Sequence, residues 1–376
     1  MSASLDVPTT SRAAVVTAFN EPLEIREITV PELEAGAVLV EIEAATVCGS
    51  DVHLWDGSLS AIRPLELPII PGHEMAGRIV SFGSNGITDI MGVPLELGDR
   101  ILFTQGRCGN CYHCTVAGQP NLCANRKNYG TNCESFPYLV GGFAEHCYVY
   151  PTSRKIKVPD NVKPEWAAAA SCALRTVITA FDRLGPLEPW QSVVIQGAGP
   201  LGLFATAMAS HLGAARIIVI GDPADRLDLA KAWGATDVVA VSGHPDPAAR
   251  VEAIRELTGG PGSEVVMEFS GARTAFTEGL DMVRRGGRFL VAGQVGPQTV
   301  EFQPTAITRG HISVIGSFSA SEAEYWRALH FMSVTQDRFD YDRMLSNRYG
   351  LEGVTDALRG MQGLSEIKPV IIPGIK

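Results

Sequence analysis

At 376 residues the chain is longer than one hydrophobic core ordinarily organises, so two domains are expected. Its 45% hydrophobic and 19% charged residues are those of a soluble globular protein. A net charge of −10, without any run of Lys or Arg, argues against nucleic acid or an anionic membrane surface as partner.

No stretch approaches the roughly 20 apolar residues of a membrane helix. Asp6 and Pro8 interrupt the beginning, so no export signal is expected and the protein is placed in the cytoplasm. Its eight cysteines are then read as metal ligands or catalytic groups rather than disulfides.

Ala13 to Val40 alternates apolar and polar residues in short runs, with breaks at Asn20-Glu21-Pro22 and Glu34-Ala35-Gly36. Val38–Glu43, Gly77–Gly83 and Gly98–Phe103 read as strands, which makes the first 150 residues a β-rich domain with functional loops. Two of those loops carry Cys48-Gly49-Ser50-Asp51-Val52-His53 and Gly72-His73-Glu74. Cys48 and His73 offer the sulfur and nitrogen that zinc takes, and Ser50 and His53 suit proton transfer. Singly, each would pass for a buried thiol or a structural histidine. Their concentration is the signal.

Cys108-x2-Cys111-x2-Cys114-x8-Cys123 is the most specific pattern in the chain. Four thiols so spaced close a tetrahedral site without a vacancy, which holds a loop that lacks a core of its own. A zinc ribbon binding another macromolecule is the rival reading, and the acidic balance counts against it. Cys133 and Cys147 read as ordinary thiols.

From Lys163 the character changes. Pro164 opens a helix at its first turn, and from Ser192 strand-like and helical runs alternate as a parallel sheet with crossovers requires. Gln196-Gly197-Ala198-Gly199-Pro200-Leu201-Gly202 follows a strand and opens the helix Leu201–Leu212. In that setting Gly197 serves a tight turn, Gly199 lets backbone approach a pyrophosphate, and Gly202 lets helix and sheet pack closely. The helix N-terminus offers free N–H groups to the phosphates. Asp222, twenty residues beyond Gly202, is placed to read a ribose. No basic residue precedes Arg226 to receive a 2′-phosphate, which favours NAD while leaving NADP open.

With these three motifs in one order the chain resembles the zinc-containing alcohol dehydrogenases of the medium-chain dehydrogenase/reductase superfamily. Besides the motifs above, Gly142-Phe143-Ala144-Glu145 carries the likeness. The resemblance implies an α/β protein with a β-rich GroES-like catalytic domain over 1–174, completed by a return at 322–376. A Rossmann cofactor domain, a doubly wound parallel sheet, would span 175–321, with the site where the two domains meet.

The resemblance also implies two zinc ions per chain. Cys48 and His73 match the first two ligands of a catalytic ion, with Glu74 beside them to coordinate transiently or tune it. Cys172, four residues before Thr176, matches the third; Glu145 is its competitor, as in threonine and polyol dehydrogenase relatives. Ser50 and His53 match a proton relay. Cys108, Cys111, Cys114 and Cys123 match a structural ion, although the eight residues before Cys123 exceed the usual seven. Thr176, the loop Gly197 to Gly202 including Pro200 and Leu201, Asp222, Arg226, Ala292 and Lys368 match cofactor positions, Lys368 reaching for the pyrophosphate.

The implied reaction moves hydride between an alcohol and NAD(P), giving a ketone or aldehyde. A secondary or bulky apolar alcohol is expected, with Trp55, Leu59, Phe103 and Tyr129 lining its pocket. A homo-oligomer is expected, a tetramer rather than a dimer because the loop from Cys123 to Gly141 is short. A zinc-free enone or quinone reductase and a non-enzymatic zinc-ribbon module are the alternatives. The former fits poorly with Cys48 and His73, the latter with the glycine-rich loop.

Overall fold

Runs rich in Val and Ile, stiff at χ1 and well suited to a pleated surface, become strands throughout the chain. The computed structural model of the protein describes residues 7–293, 296 and 299–375. Among them the strands are β1 (Thr10–Val15), β2 (Glu24–Thr29), β3 (Val38–Thr46), β4 (Met75–Phe82), β5 (Arg100–Phe103), β6 (His146–Val149) and β7 (Lys155–Lys157). There follow β8 (Ser192–Gln196), β9 (Arg216–Gly221), β10 (Asp237–Ala240), β11 (Ser263–Glu268), β12 (Val283–Val291), β13 (Ser313–Gly316), β14 (Leu345–Tyr349) and β15 (Lys368–Ile371). The chain divides into two units. The first holds the chain up to Arg175, Ala320–Gln336 and everything from Leu345; the second holds Thr176–Ser319 and Asp337–Met344.

In the first unit β1 and β2 form an antiparallel pair, and a sheet runs β14-β15-β3-β4-β5-β7, with β6 also on β3. Register decides what meets at its end. Val370 of β15 lies opposite Thr46 of β3, and Ala45 lies opposite Met75 of β4. The residues just past β3, just before β4 and at the start of β15 are therefore neighbours. These are Cys48, His73 with Glu74, and Lys368.

Val38, Val40, Ile79, Ile101, Phe143 and Tyr148 are fully buried in the core under this sheet, each such side chain contributing about 1.5–3 kcal/mol. Trp55, Phe103 and Tyr129 belong to the same core, and Leu59 packs against it. These four residues, expected to line an apolar substrate pocket, are used for packing instead.

In the second unit six parallel strands run β10-β9-β8-β11-β12-β13. Helices join them, among them Pro200–His211, Ala224–Ala232, Pro247–Leu257 and Ala275–Met282. Ile217 to Ile220 are consecutive and all buried, as a sheet covered on both faces demands. The strand order reverses between β8 and β11, which is where open parallel sheets bind ligands, outside the carboxyl ends.

The stretch Asp337–Met344, expected within the C-terminal return, belongs to this second unit instead. Phe339 and Tyr341 are buried there against Trp233, and Tyr341 also against Phe204. An aromatic cluster of that size outweighs the sequence continuity of the tail. No helix among the described residues is long and apolar enough to cross a membrane.

Candidate metal centres and dinucleotide loop

Cys48 ends the approach from β3 and stands immediately before the short helix Gly49–Trp55. Its backbone N–H donates to Asp51 Oδ2 at 2.9 Å, and the Asp51 N–H donates to the Cys48 carbonyl at 3.0 Å. This is capping-box geometry with a cysteine at the cap. It fixes the direction of the Cys48 side chain. Asp51 then does a second thing: its Oδ1 accepts from the Gly72 N–H and from His73 Nδ1, each at 3.2 Å. With Nδ1 committed to a carboxylate, Nε2 of His73 is the nitrogen left to bind a metal. Burial works to raise the Asp51 carboxyl, but the His73 charge and hydrogen bond and two N–H donors more than offset it, holding it below its usual range.

Cys172 arrives from a different part of the unit. The helix Pro164–Ala169 passes into a π-helical turn, Ala170–Leu174. Such turns mark functional positions in many helices, because one extra residue per turn re-aims the side chains. Ligand atoms of Cys48, His73, Glu74 and Cys172 all lie within 4.8 Å of one another. Cys48 and Cys172 share a hydrogen bond; that bond, burial and the Cys172 charge push Cys48 up to about 11, while the same bond leads in holding Cys172 well down. Two sulfurs sharing one proton are a pair from which a divalent cation would expel that proton.

Glu74 completes the group in an asymmetric way. Its Oε2 accepts from Thr46 Oγ1 and pairs with the Lys368 ammonium. Its Oε1 is buried and without a hydrogen-bond partner among the described residues. A carboxylate held by one oxygen, with the other unpartnered, in a group with two thiols and an imidazole, fits a metal. Burial pushes Glu74 up to about 7 against the pull of Lys368. Lys368 itself is 1% exposed. Its ammonium lies in the buried pair with Glu74.

Glu145, the competing ligand, is outside this group. It accepts from the Arg12 backbone N–H at 2.9 Å and faces the Arg12 guanidinium at 3.9 Å. Ser50 and His53 are on the same short helix, but no hydrogen bond joins them among the described residues. The His53 side chain is 55% exposed, with Nδ1 3.0 Å from Ser58 Oγ.

The second sulfur group lies on an exposed lobe. Cys111 and Cys114 are 3.5 Å apart, as are Cys108 and Cys123, and all four come within 4.8 Å of one another. The extra residue before Cys123 is absorbed in the turn Pro120–Leu122, and Cys123 still joins the group. Cys108 accepts from the Asn110 N–H, which leads the causes holding it down at about 6. Cys133 and Cys147 lie outside both groups and are buried.

In the second unit the glycine-rich loop links β8 to the helix Pro200–His211, with Gly199 as cap and Pro200 at the first position. Gly197 has φ +112°, a conformation that favours glycine, and its N–H donates to Ile220 O at 2.7 Å. A Cβ on Gly202 would stand 1.8 Å from the Gly197 carbonyl oxygen, whereas one on Gly199 would meet nothing within 4 Å. The turn and the close packing are thus occupied by protein, while the space above Gly199 is open to a ligand. Leu201 follows at the start of the same helix.

Asp222 follows β9 directly, and its two oxygens accept from the Ser242 N–H at 2.7 Å and the Ser242 hydroxyl at 3.0 Å. Arg226 is 6% exposed, and burial lowers its guanidinium below the ordinary value. It is spent inside the unit rather than displayed to a 2′-phosphate. Thr176 opens the unit in the helix Arg175–Leu184, and Ala292 follows β12.

Two residues escaped the sequence reading. Asp51 carried a signal, since it stands three positions after a helix-start residue. Glu268, buried at the end of β11, ends an apolar run before Ser270-Gly271 and resembles an ordinary strand terminus.

The family model described as "Alcohol dehydrogenase GroES-like domain" matches residues 34–160, and "Zinc-binding dehydrogenase" matches 200–334. The 5-exo-hydroxycamphor dehydrogenase of Pseudomonas putida is 33% identical over 96% of this chain and 98% of its own length. An alcohol dehydrogenase of Geobacillus stearothermophilus is 34% identical, covering 85% of this chain and 88% of its own. Among solved structures, an alcohol dehydrogenase from Thermotoga maritima superposes with a TM-score of 0.88 at 34% identity, over 96% of this chain and 99% of that one. A zinc-binding dehydrogenase from Sinorhizobium meliloti, solved with NADP, gives 0.82 at 27%, over 97% and 100%. The chain belongs to the zinc-containing medium-chain dehydrogenase/reductase family. It is an oxidoreductase of the alcohol dehydrogenase type, with a GroES-like and a Rossmann domain.

Proposed function

We propose that this protein is a zinc-dependent dehydrogenase that oxidises a secondary alcohol to a ketone with NAD as hydride acceptor. The observation that carries the reading is the grouping of Cys48, His73, Glu74 and Cys172, whose ligand atoms lie within 4.8 Å of one another, with one oxygen of the buried Glu74 carboxylate left without a hydrogen-bond partner. Cys48, His73 and Cys172 would hold zinc, which would supply a Lewis acid that lowers the pKa of a substrate hydroxyl, and a bound nicotinamide would accept the hydride.

The chain's own residues do the rest. Asp51 keeps the proton on Nδ1 of His73 and so keeps the ring aimed. Lys368 and Thr46 hold Glu74 by one oxygen, leaving the other free to approach the metal or withdraw. Ser50 takes the substrate's proton, and His53, largely exposed, passes it to water. Since Ser50 and His53 share no hydrogen bond, a water or a substrate hydroxyl has to link them.

Asp222 recognises the ribose hydroxyls of NAD, and the seclusion of Arg226 supports NAD over NADP. Cys108, Cys111, Cys114 and Cys123 hold a second, structural zinc. The secondary alcohol is supported by the hydroxycamphor and threonine 3-dehydrogenase relatives, whose named substrates carry their hydroxyl on a secondary carbon.

Metal analysis and a panel of primary and secondary alcohols, each assayed with NAD and with NADP, test the reading. Two zinc ions per chain and NAD-linked turnover of secondary alcohols are expected. Full turnover after complete removal of zinc would refute it.

A further inference from the structure

Three loops meet at the carboxyl ends of β8, β11 and β12, and one buried side chain ties two of them together. Glu268, the last residue of β11, is 0% exposed. Its Oε1 accepts from the Ser270 N–H at 2.8 Å, the Ser270 hydroxyl at 2.9 Å and the Gly271 N–H at 2.7 Å. Its Oε2 accepts from the Gly293 N–H at 3.0 Å. The backbone joins in: the N–H groups of Ala292 and Gly293 both donate to the Glu268 carbonyl at 3.0 Å.

The glycine-rich loop leans on the same place. A Cβ on Gly197 would stand 3.0 Å from the Ser270 nitrogen, and one on Gly293 2.6 Å from the Gly271 nitrogen. The three crests therefore touch backbone to backbone.

We propose that Glu268 is a positioning residue of the dinucleotide site, setting the crests after β11 and β12 against the glycine-rich loop so that the groove is preformed. The inference rests on the reading of that loop as a dinucleotide site. Its force comes from chemistry that a purely structural role does not require. A carboxylate is an expensive group to bury, and no cation among the described residues pairs with it. Four donors converge on it because only an acceptor with two oxygens can receive from both crests at once. A glutamine keeps the shape but turns an N–H toward one of the donors. The apolar interior of β11 could have ended in any strand residue if burial alone were needed.

The crest after β12 also carries Ala292, one of the positions matched to the cofactor. Losing the Glu268 carboxylate should loosen Gly293, the neighbour of Ala292, first, since its N–H alone reaches Oε2 whereas three donors reach Oε1.

The test titrates NADH by fluorescence against the full-length, zinc-loaded enzyme and its Glu268→Gln, Glu268→Asp and Ser270→Ala variants. For Glu268→Gln the Kd for NADH should rise about tenfold or more, as for a buried donor left unmatched. The KM for alcohol at saturating NAD and the zinc content should stay within about twofold. Ser270→Ala, which removes one of four donors and is the variant most certain to fold, should raise the Kd about two- to threefold. Glu268→Asp, retaining the charge, should recover part of the loss.

An unchanged Kd in Glu268→Gln and Ser270→Ala overturns the proposal. So does a loss in which alcohol KM, zinc content and melting temperature all worsen together, for then Glu268 merely holds the fold. If the wild-type enzyme itself binds no NADH, it is the dinucleotide reading that fails.

Discussion

Among the described residues, two groups of four side chains that could hold a metal occur in one unit of this protein, and they are built in opposite ways. The lobe from Cys108 to Cys123 takes all its sulfurs from one local segment, shaped by backbone N–H groups and tight turns. Around it Tyr112 is 65% exposed and Val116 72% exposed, so little apolar packing holds it. The other group draws Cys48, His73-Glu74 and Cys172 from three segments that only the sheet brings together. Its supports are side chains: Asp51 on His73, Thr46 and Lys368 on Glu74. A local group can be a staple; an assembled group can leave one oxygen bare and still be rigid. That contrast separates a structural site from a catalytic one, and it can be broken experimentally.

The largest expected effect is at Cys48. Replacing it by Ala should lower alcohol oxidation at least about a thousandfold, because a Lewis acid supplies several kcal/mol of transition-state stabilisation. Zinc content should fall by one ion per chain while NADH still binds. Retained turnover in Cys48→Ala would assign the chemistry elsewhere.

Cys111→Ser attacks the other side of the comparison. Metal held by a segment without its own core is folding free energy. The variant should lose the lobe's ion and inactivate on warming about tenfold faster, with KM for the alcohol nearly unchanged before heating. A proportionate loss of initial turnover would mean that the lobe is no mere staple.

The two groups also differ in how far the sequence revealed them. The four cysteines of the lobe were legible from spacing alone, because local geometry makes the site. Cys48 and His73 were visible as residue types, yet Cys172 and the choice against Glu145 came from resemblance. Geometry supports that choice by bringing Cys172, on the π-turn after Ala169, within 4.8 Å of Cys48, His73 and Glu74, while Glu145 pairs with Arg12. The parallel sheet and its glycine-rich loop were readable because their pattern is periodic. The pairing of Lys368 with Glu74 was not legible, since the register that puts β15 beside β3 is a long-range fact. The burial of Trp55, Phe103 and Tyr129 was hidden for the same reason: a helix end, a strand and a loop meet in one core only through contacts distant in sequence.

Asp51→Asn sharpens the comparison further. The amide keeps the shape but lacks the charge and cannot accept at all three positions. Supports of this kind are worth about 10- to 100-fold in metal affinity or activity. A fall of that size in kcat, with the lobe's ion retained, is expected. Asn at 51 without effect on either quantity would remove the support argument from the assembled group.

The smallest effect has to be known before acid can be used to compare how the two groups release metal. His146 on β6 has its Nδ1 3.1 Å from Ser11 Oγ, and burial holds its imidazole below the ordinary value despite the nearby carboxylates of Glu41 and Glu145. The unfolded chain protonates this ring near pH 6.5, and the folded chain only at a lower pH. Between those values the unfolded state binds more protons, so stability is full above about pH 6.5 and falls on acidification through that window. His146→Gln should flatten the fall in melting temperature between about pH 7 and about pH 5 without changing zinc content at the upper end. Should the variant's curve parallel that of the wild type, the acid sensitivity lies in the metal groups themselves, and their difference can be read directly from the pH at which each ion leaves.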